Sequence, residues 1–181
     1  SESFVGTDNR KAAAVAGQKL GEALEGSGTV VVFAHQAKTR TSIDRVEGFL
    51  EAIGEYPEIR VEEVLYWDEV EDLGTVMAET LESGAPDGVF CTNSDTAVLY
   101  LETVKKYPEN APVFVGFDAD KQQQEALKSG TEYGLVAQQP YLVGYETVRQ
   151  ALRALCGAEV EREVLLDSAW LDLHNLDSPE Y

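Results

Sequence analysis

Pro112-Val113-Phe114-Val115-Gly116-Phe117-Asp118 decides the fold: a short run of β-branched and aromatic residues that stops at a carboxylate. The same pattern recurs on both sides of it. Upstream, Gly88-Val89-Phe90-Cys91-Thr92 stops at Asn93, and Val30-Val31-Val32-Phe33-Ala34 runs into a polar loop that leads to Arg45. Downstream, Leu135-Val136-Ala137 stops at Gln138. Each run is followed by residues with helical spacing, and strands alternating with helices read as crossover units of a parallel sheet. Open sheets of this kind bind ligands at the carboxyl ends of their strands. Here those ends carry two amides, a carboxylate and, through a loop, a guanidinium, a set suited to a small polyhydroxylated ligand.

Working outward, strands are expected near 30–34, 59–65, 87–92, 112–117 and 134–138, with helices at 9–24, 43–53, 70–83, 95–106, 120–129 and 141–155. Asp8, Ser42 and Ser94 read as helix caps, and Gly84 and Gly130 as helix stops. The predicted fold class is α/β, a doubly wound parallel sheet with strand order 2-1-3-4-5. Helix 141–155 is surplus to it. Leu142, Val143, Tyr145, Val148, Leu152 and Leu155 give that helix an apolar face, expected to pack on something outside the chain or on a second copy in a homodimer. Residues 160–166 and 169–173 read as short extended pieces, and the tail from Asn175 as loose.

Composition narrows the function. Of 181 residues, 33 are acidic and 14 basic, a formal charge of −19, which argues against nucleic acid or an anionic membrane as partner of this segment. An apolar content of 44% supports a packed core. Cys91 and Cys156 lack metal-type spacing, and no metal or cofactor is expected. No GxSxG, HExxH, GxGxxG or phosphate-binding loop is present, so no catalytic residue is nominated and the chain reads as a binding protein rather than an enzyme.

Singly, the strand-end residues have bland explanations. Asn93 and Asp118 suit helix caps, Arg45 can pair with Asp44 or Glu47, Trp67 can be core, and His35 reads as a plain loop residue. Their convergence on one sheet edge favours a ligand site of Arg45, Trp67, Asn93, Asp118 and Gln138, with Trp67 covering the C–H face of a sugar ring.

Gly6-Thr7-Asp8-Asn9, Asp44-Arg45-Val46-Glu47-Gly48-Phe49, Thr92-Asn93-Ser94-Asp95, Val115-Gly116-Phe117-Asp118 and Ala137-Gln138-Gln139-Pro140-Tyr141 occur in that order. Together they resemble the second half of the type I periplasmic sugar-binding proteins, the ribose/galactose-binding group, whose fold the sugar-binding core of LacI-type repressors shares. The resemblance runs over roughly residues 4–173. It implies a two-lobed, hinged receptor outside the cytoplasm that serves an ABC permease or a sensor kinase; the alternative is a cytoplasmic repressor core. It carries the ligand role to Arg45, Asn93, Asp118 and Gln138, places the stacking aromatic at Trp67, and adds Phe117 as a lesser ring contact. It also implies a division into a hinge or linker at 1–6, a ligand-binding lobe at 7–138, a helix and strands at 139–173 returning to a missing first lobe, and a tail at 174–181. On this expectation the chain is a fragment that binds a monosaccharide weakly by itself.

Overall fold

A computed structural model describes residues 3–177. In chain order the elements are β1 (Phe4–Thr7), α1 (Asn9–Ala23), β2 (Ser27–Ala34), α2 (Arg40–Ile53), β3 (Glu58–Tyr66), α3 (Leu73–Glu82), β4 (Gly88–Cys91), α4 (Ser94–Val104), β5 (Val113–Phe117), α5 (Lys121–Ser129), β6 (Gly134–Ala137), α6 (Pro140–Leu155), β7 (Glu163–Leu166) and β8 (Ala169–Leu171).

The main sheet has the order β3-β2-β4-β5-β6-β8. Its first five strands are parallel and reproduce the expected 2-1-3-4-5 arrangement. The sixth, β8, runs antiparallel against β6 and was not foreseen as part of this sheet. The expectation that all of 139–173 leaves the lobe is therefore too wide. An uncovered edge on β6 would present unpaired backbone groups, and β8 pairs with them. Gly134 makes room for it: a Cβ there would lie 2.0 Å from the Trp170 indole.

Both faces of the sheet are covered, and β2 shows how. Val30, Val32 and Ala34 face one core, Val31 and Phe33 the other, the period of two that a strand imposes. On the first face lie Ala12, Ala13, Ala16 and Leu20 of α1 and Val46, Phe49 and Ile53 of α2. On the second lie Leu73, Met77 and Leu81 of α3 and Tyr100, Leu101 and Val104 of α4. Helices α1 and α2 approach closely because Gly48 has no side chain; a Cβ there would stand 2.1 Å from the Arg10 carbonyl oxygen. The closeness lets Phe49 stack on Phe90 at 4.4 Å between ring centroids.

A smaller unit sits beside this lobe. β1 and β7 pair in parallel as a two-stranded sheet, and α6 packs against both. Residues 4–6, expected as linker, thus form a strand; Ser1 and Glu2 lie outside the described residues. Of the apolar stripe on α6, Leu142, Tyr145, Val148, Leu152 and Leu155 are exposed and Val143 is half-buried.

Local boundaries differ where caps compete. Asp8 caps α1 as expected, accepting from the Lys11 amide at 3.1 Å. α2 begins at Arg40 and buries Ser42 in its first turns, so Ser42 is no cap. α3 begins at Leu73, because Asp72 accepts from the Gly74 and Thr75 amides and a 3-10 turn occupies Trp67–Glu69. In the tail, Asn175 and Leu176 amides bond back to the Asp172 carbonyl, and Leu176 packs near Leu127, Leu135 and Leu171. The expected loose tail is folded this far; residues 178–181 lie outside the described residues.

Candidate functional site

The carboxyl ends of β2, β4, β5 and β6 deliver their following residues to one edge, and α2 turns Arg45 back toward it. Arg45 is only 5% exposed. Its Nε donates to Asn9 Oδ1 at 2.8 Å and its Nη1 to the Thr92 carbonyl at 2.7 Å. The guanidinium carbon stands 3.7 Å from the centroid of the Phe117 ring, a cation–π stack. Phe117 is fully buried, so its ring supports Arg45 and is not exposed to a ligand, unlike the contact first assigned to it. Burial pulls the Arg45 pKa down to about 10, and the nearby Asp118 carboxylate opposes the shift. The side chain remains a cation at neutral pH.

Asp118 sits with φ of 75°, in the left-handed region that favours glycine. The turn aims its carboxylate across the edge. Oδ2 accepts from the Ser94 amide at 3.1 Å and lies 4.0 Å from Arg45 Nη1. Oδ1 accepts from Gln138 Nε2, and Gln138 Oε1 in turn accepts from the Thr7 hydroxyl at 2.8 Å. Asp118 is thus no helix cap; that task falls to Asp120, which accepts from the Gln123 amide at 3.0 Å.

Asn93 keeps its bland role as well as its place at the edge. It caps α4, in place of Ser94, through a capping box with Thr96. Its Oδ1 is committed to the Thr96 amide at 3.1 Å and the Thr96 hydroxyl at 2.8 Å. The Nδ2 group has no protein partner among the described residues, which leaves Asn93 as a donor.

Asn93 also lines a pocket of about 350 Å³ together with His35, Gln36, Trp67, Asp68 and Asp95. Trp67 opens the 3-10 turn after β3 and is 41% exposed, so a face of its ring is free to cover a ligand. His35 is oriented through Thr92. The Thr92 Oγ1 accepts from the His35 amide at 3.1 Å and stands 2.8 Å from His35 Nδ1. Burial, then the Arg45 charge, hold the imidazole below its ordinary pKa. The edge therefore has two parts: a polar ladder of Arg45, Asp118 and Gln138, and an aromatic-walled pocket, with Asn93 in the pocket wall.

Of the expected residues, the structure brings Arg45, Asp118 and Gln138 together in the ladder and Asn93 and Trp67 together in the pocket. Thr7, Asn9 and Thr92, which hold them, were not expected. The only signal for the first two was the run Gly6-Thr7-Asp8-Asn9 at a helix start.

The Asp118 side chain, buried Arg45 and the two amides can donate to and accept from vicinal hydroxyls, and no nucleophile–base pair stands among them. Comparison with known proteins agrees with the fold. The periplasmic binding protein domain family matches residues 2–159. The ribose import binding protein RbsB of Haemophilus influenzae is 27% identical over 166 residues, which are 91% of this chain and 56% of that protein. Its counterpart in Salmonella typhimurium is 24% identical over 168 residues, again 56% of that protein, so the chain spans about half the length of the curated relatives it matches. Among solved structures, a carbohydrate transporter solute binding protein from Agrobacterium radiobacter in complex with D-arabinose superposes with a TM-score of 0.90 at 27% identity, covering 99% of this chain and 64% of that one. An ABC transporter solute binding protein from Agrobacterium vitis with bound D-fucose gives 0.90 at 25% identity, covering 99% and 63%. The chain belongs to the periplasmic binding protein domain family.

Proposed function

We propose that this chain is the C-terminal ligand-binding lobe of a two-lobed extracytoplasmic receptor that captures a monosaccharide for an ABC importer. The observation that carries the proposal is the convergence of Arg45, Asn93, Asp118 and Gln138 on one sheet edge beside the exposed ring of Trp67. Charged and amide groups read hydroxyl positions, and an indole covers the apolar face of a sugar ring. The names of the relatives support import over the repressor alternative: ribose import in two of them, solute binding for ABC transport in others. The exposed apolar stripe on α6 supports a further body in the complete protein, packed where Tyr145, Val148 and Leu152 now face solvent. No catalysis is part of the proposal.

Titration calorimetry with D-ribose, D-arabinose and D-fucose tests it. The complete protein binds one of these at micromolar concentration. This chain alone binds the same sugar roughly a thousandfold more weakly, since losing ~4 kcal/mol of contacts and closure moves a micromolar site to millimolar. A complete protein silent to the whole panel overturns the sugar assignment. Micromolar binding by the chain alone overturns the two-lobed one.

A further inference from the structure

Two hydrogen-bonded arms start from the ligand-facing groups and end on one residue. In the first, Arg45 Nε donates to Asn9 Oδ1 at 2.8 Å, and Asn9 Nδ2 donates to the Thr7 carbonyl at 3.1 Å. In the second, Asp118 Oδ1 accepts from Gln138 Nε2, and Gln138 Oε1 accepts from the Thr7 hydroxyl at 2.8 Å. Thr7 is buried, and it closes β1 where that strand leaves the small β1–β7 sheet for the main lobe. Immediately after it, the Asp8 amide donates to the Leu166 carbonyl at 2.9 Å and ties the crossing to β7.

The chemistry of these arms is directional. A carboxylate only accepts, so Gln138 must turn its nitrogen to Asp118. The Thr7 hydroxyl then donates to the remaining amide oxygen, and the two partners together permit one orientation of the side chain. Asn9 is locked in the same way: the guanidinium only donates, so Asn9 must offer its oxygen to Arg45 and its nitrogen to the Thr7 carbonyl. Removing the Thr7 hydroxyl leaves a part-buried amide oxygen without a partner and frees Gln138 to rotate.

We propose that Thr7 is a positioning residue for the ligand site: through Gln138 and Asn9 it sets the orientation of the Gln138 amide and the Arg45 guanidinium, so their geometry follows the angle at which β1 enters the lobe. Thr7 itself needs no contact with ligand.

The first test uses this chain and no ligand. In nitrogen-15-labelled protein, the side-chain resonances of Arg45 Nε–H and Gln138 Nε2–H₂ are compared among wild type, Thr7→Ser and Thr7→Val. Thr7→Ser keeps the hydroxyl and leaves both sets in place. Thr7→Val, of similar shape, displaces or broadens the Gln138 pair while the melting curve stays cooperative. Unmoved Gln138 signals in Thr7→Val overturn the proposal. If Thr7→Val does not fold, Asn9→Ala carries the test, since α1 tolerates alanine at its first position. There Arg45 Nε–H must shift and exchange faster with water, and an unchanged signal is the overturning result. The second test rests on the sugar-binding proposal. In the complete protein, whichever panel sugar binds wild type binds Thr7→Val at least tenfold more weakly and Thr7→Ser within twofold of wild type. Equal affinity in Thr7→Val overturns the positioning role. A wild type silent to every sugar counts against the sugar assignment alone, and the resonances still decide the role of Thr7.

Discussion

Arg45 is a buried cation with an aromatic ring beneath it, and Asp118 is the carboxylate nearest to it. Asp118→Ala strands the Ser94 amide and the Gln138 nitrogen and leaves Arg45 without a countercharge. In the complete protein the change costs about 2–4 kcal/mol of sugar binding, measured by calorimetry, because unpaired buried polar groups keep their full desolvation cost. A buried acid, Glu132, lies on the face of β5 opposite to Phe117. Glu132 accepts from Gln123 at 3.1 Å, and the pair fills the space a side chain at Gly116 would take. Burial raises the Glu132 pKa from 4.5 to about 9; Gln123 pulls it down and Asp120 pushes it up. The folded state therefore keeps a proton that the unfolded chain loses above about pH 4.5, and this contribution to stability is lost as pH rises toward 9. Glu132→Gln flattens the pH dependence of the melting temperature between pH 5 and 9 and raises it at the alkaline end; an unchanged slope refutes this. The quartet Arg45, Asn93, Asp118 and Gln138 was legible as a set at one sheet edge because each member follows an apolar run, Arg45 by way of a loop. Glu132 was not: in Ser129-Gly130-Thr131-Glu132-Tyr133 it reads as a solvated turn, and only the bare backbone of Gly116, sixteen residues earlier, gives it a place inside.

At the scale of elements, the five parallel strands and the six helices were readable from their apolar spacing. Two helix starts slipped by three residues where more than one residue could open the helix: α2 begins after Thr39 and takes Thr41 and Ser42 into its first turn, and α3 waits for Asp72. β1, β7 and β8 were harder, since three or four residues show no period and their partners are distant in sequence. Gly134 was the available clue: a glycine opening a buried strand marks close approach by another group, here Trp170. α6 raises a different matter. Its stripe of Tyr145, Val148 and Leu152 is more than half exposed at each residue. Burying apolar area contributes about 25 cal/mol per Å², so the expected outcome is that this chain by itself associates through that face at high concentration. Sedimentation velocity checks it: the wild type gains mass with concentration, and the Val148→Glu, Leu152→Glu double variant stays monomeric. A wild type that is monomeric throughout removes the stripe as a contact surface between copies.

For the molecule as a whole, the lobe built on the six-stranded sheet is not one continuous stretch of sequence. The chain enters it after Thr7, departs after Gln138, builds α6 and β7 elsewhere, and comes back at β8. The place of departure and the place of return are cross-strand neighbours, Ala137 opposite Ala169 in antiparallel register. Everything between them is, geometrically, a detour whose two ends already meet. Antiparallel neighbours can be joined by a two-residue Asn-Gly turn, whose twist matches that of the flanking strands. A shortened chain running from Asp8 to Ala137, through Asn-Gly, and on from Ala169 to Leu173 would therefore complete the six-stranded sheet with an ordinary hairpin at its edge. Such a minimal lobe unfolds in one cooperative transition and stays monodisperse, having shed both α6 and the β1–β7 pair; a broad melt or aggregation shows that the detour contributes to the lobe's stability.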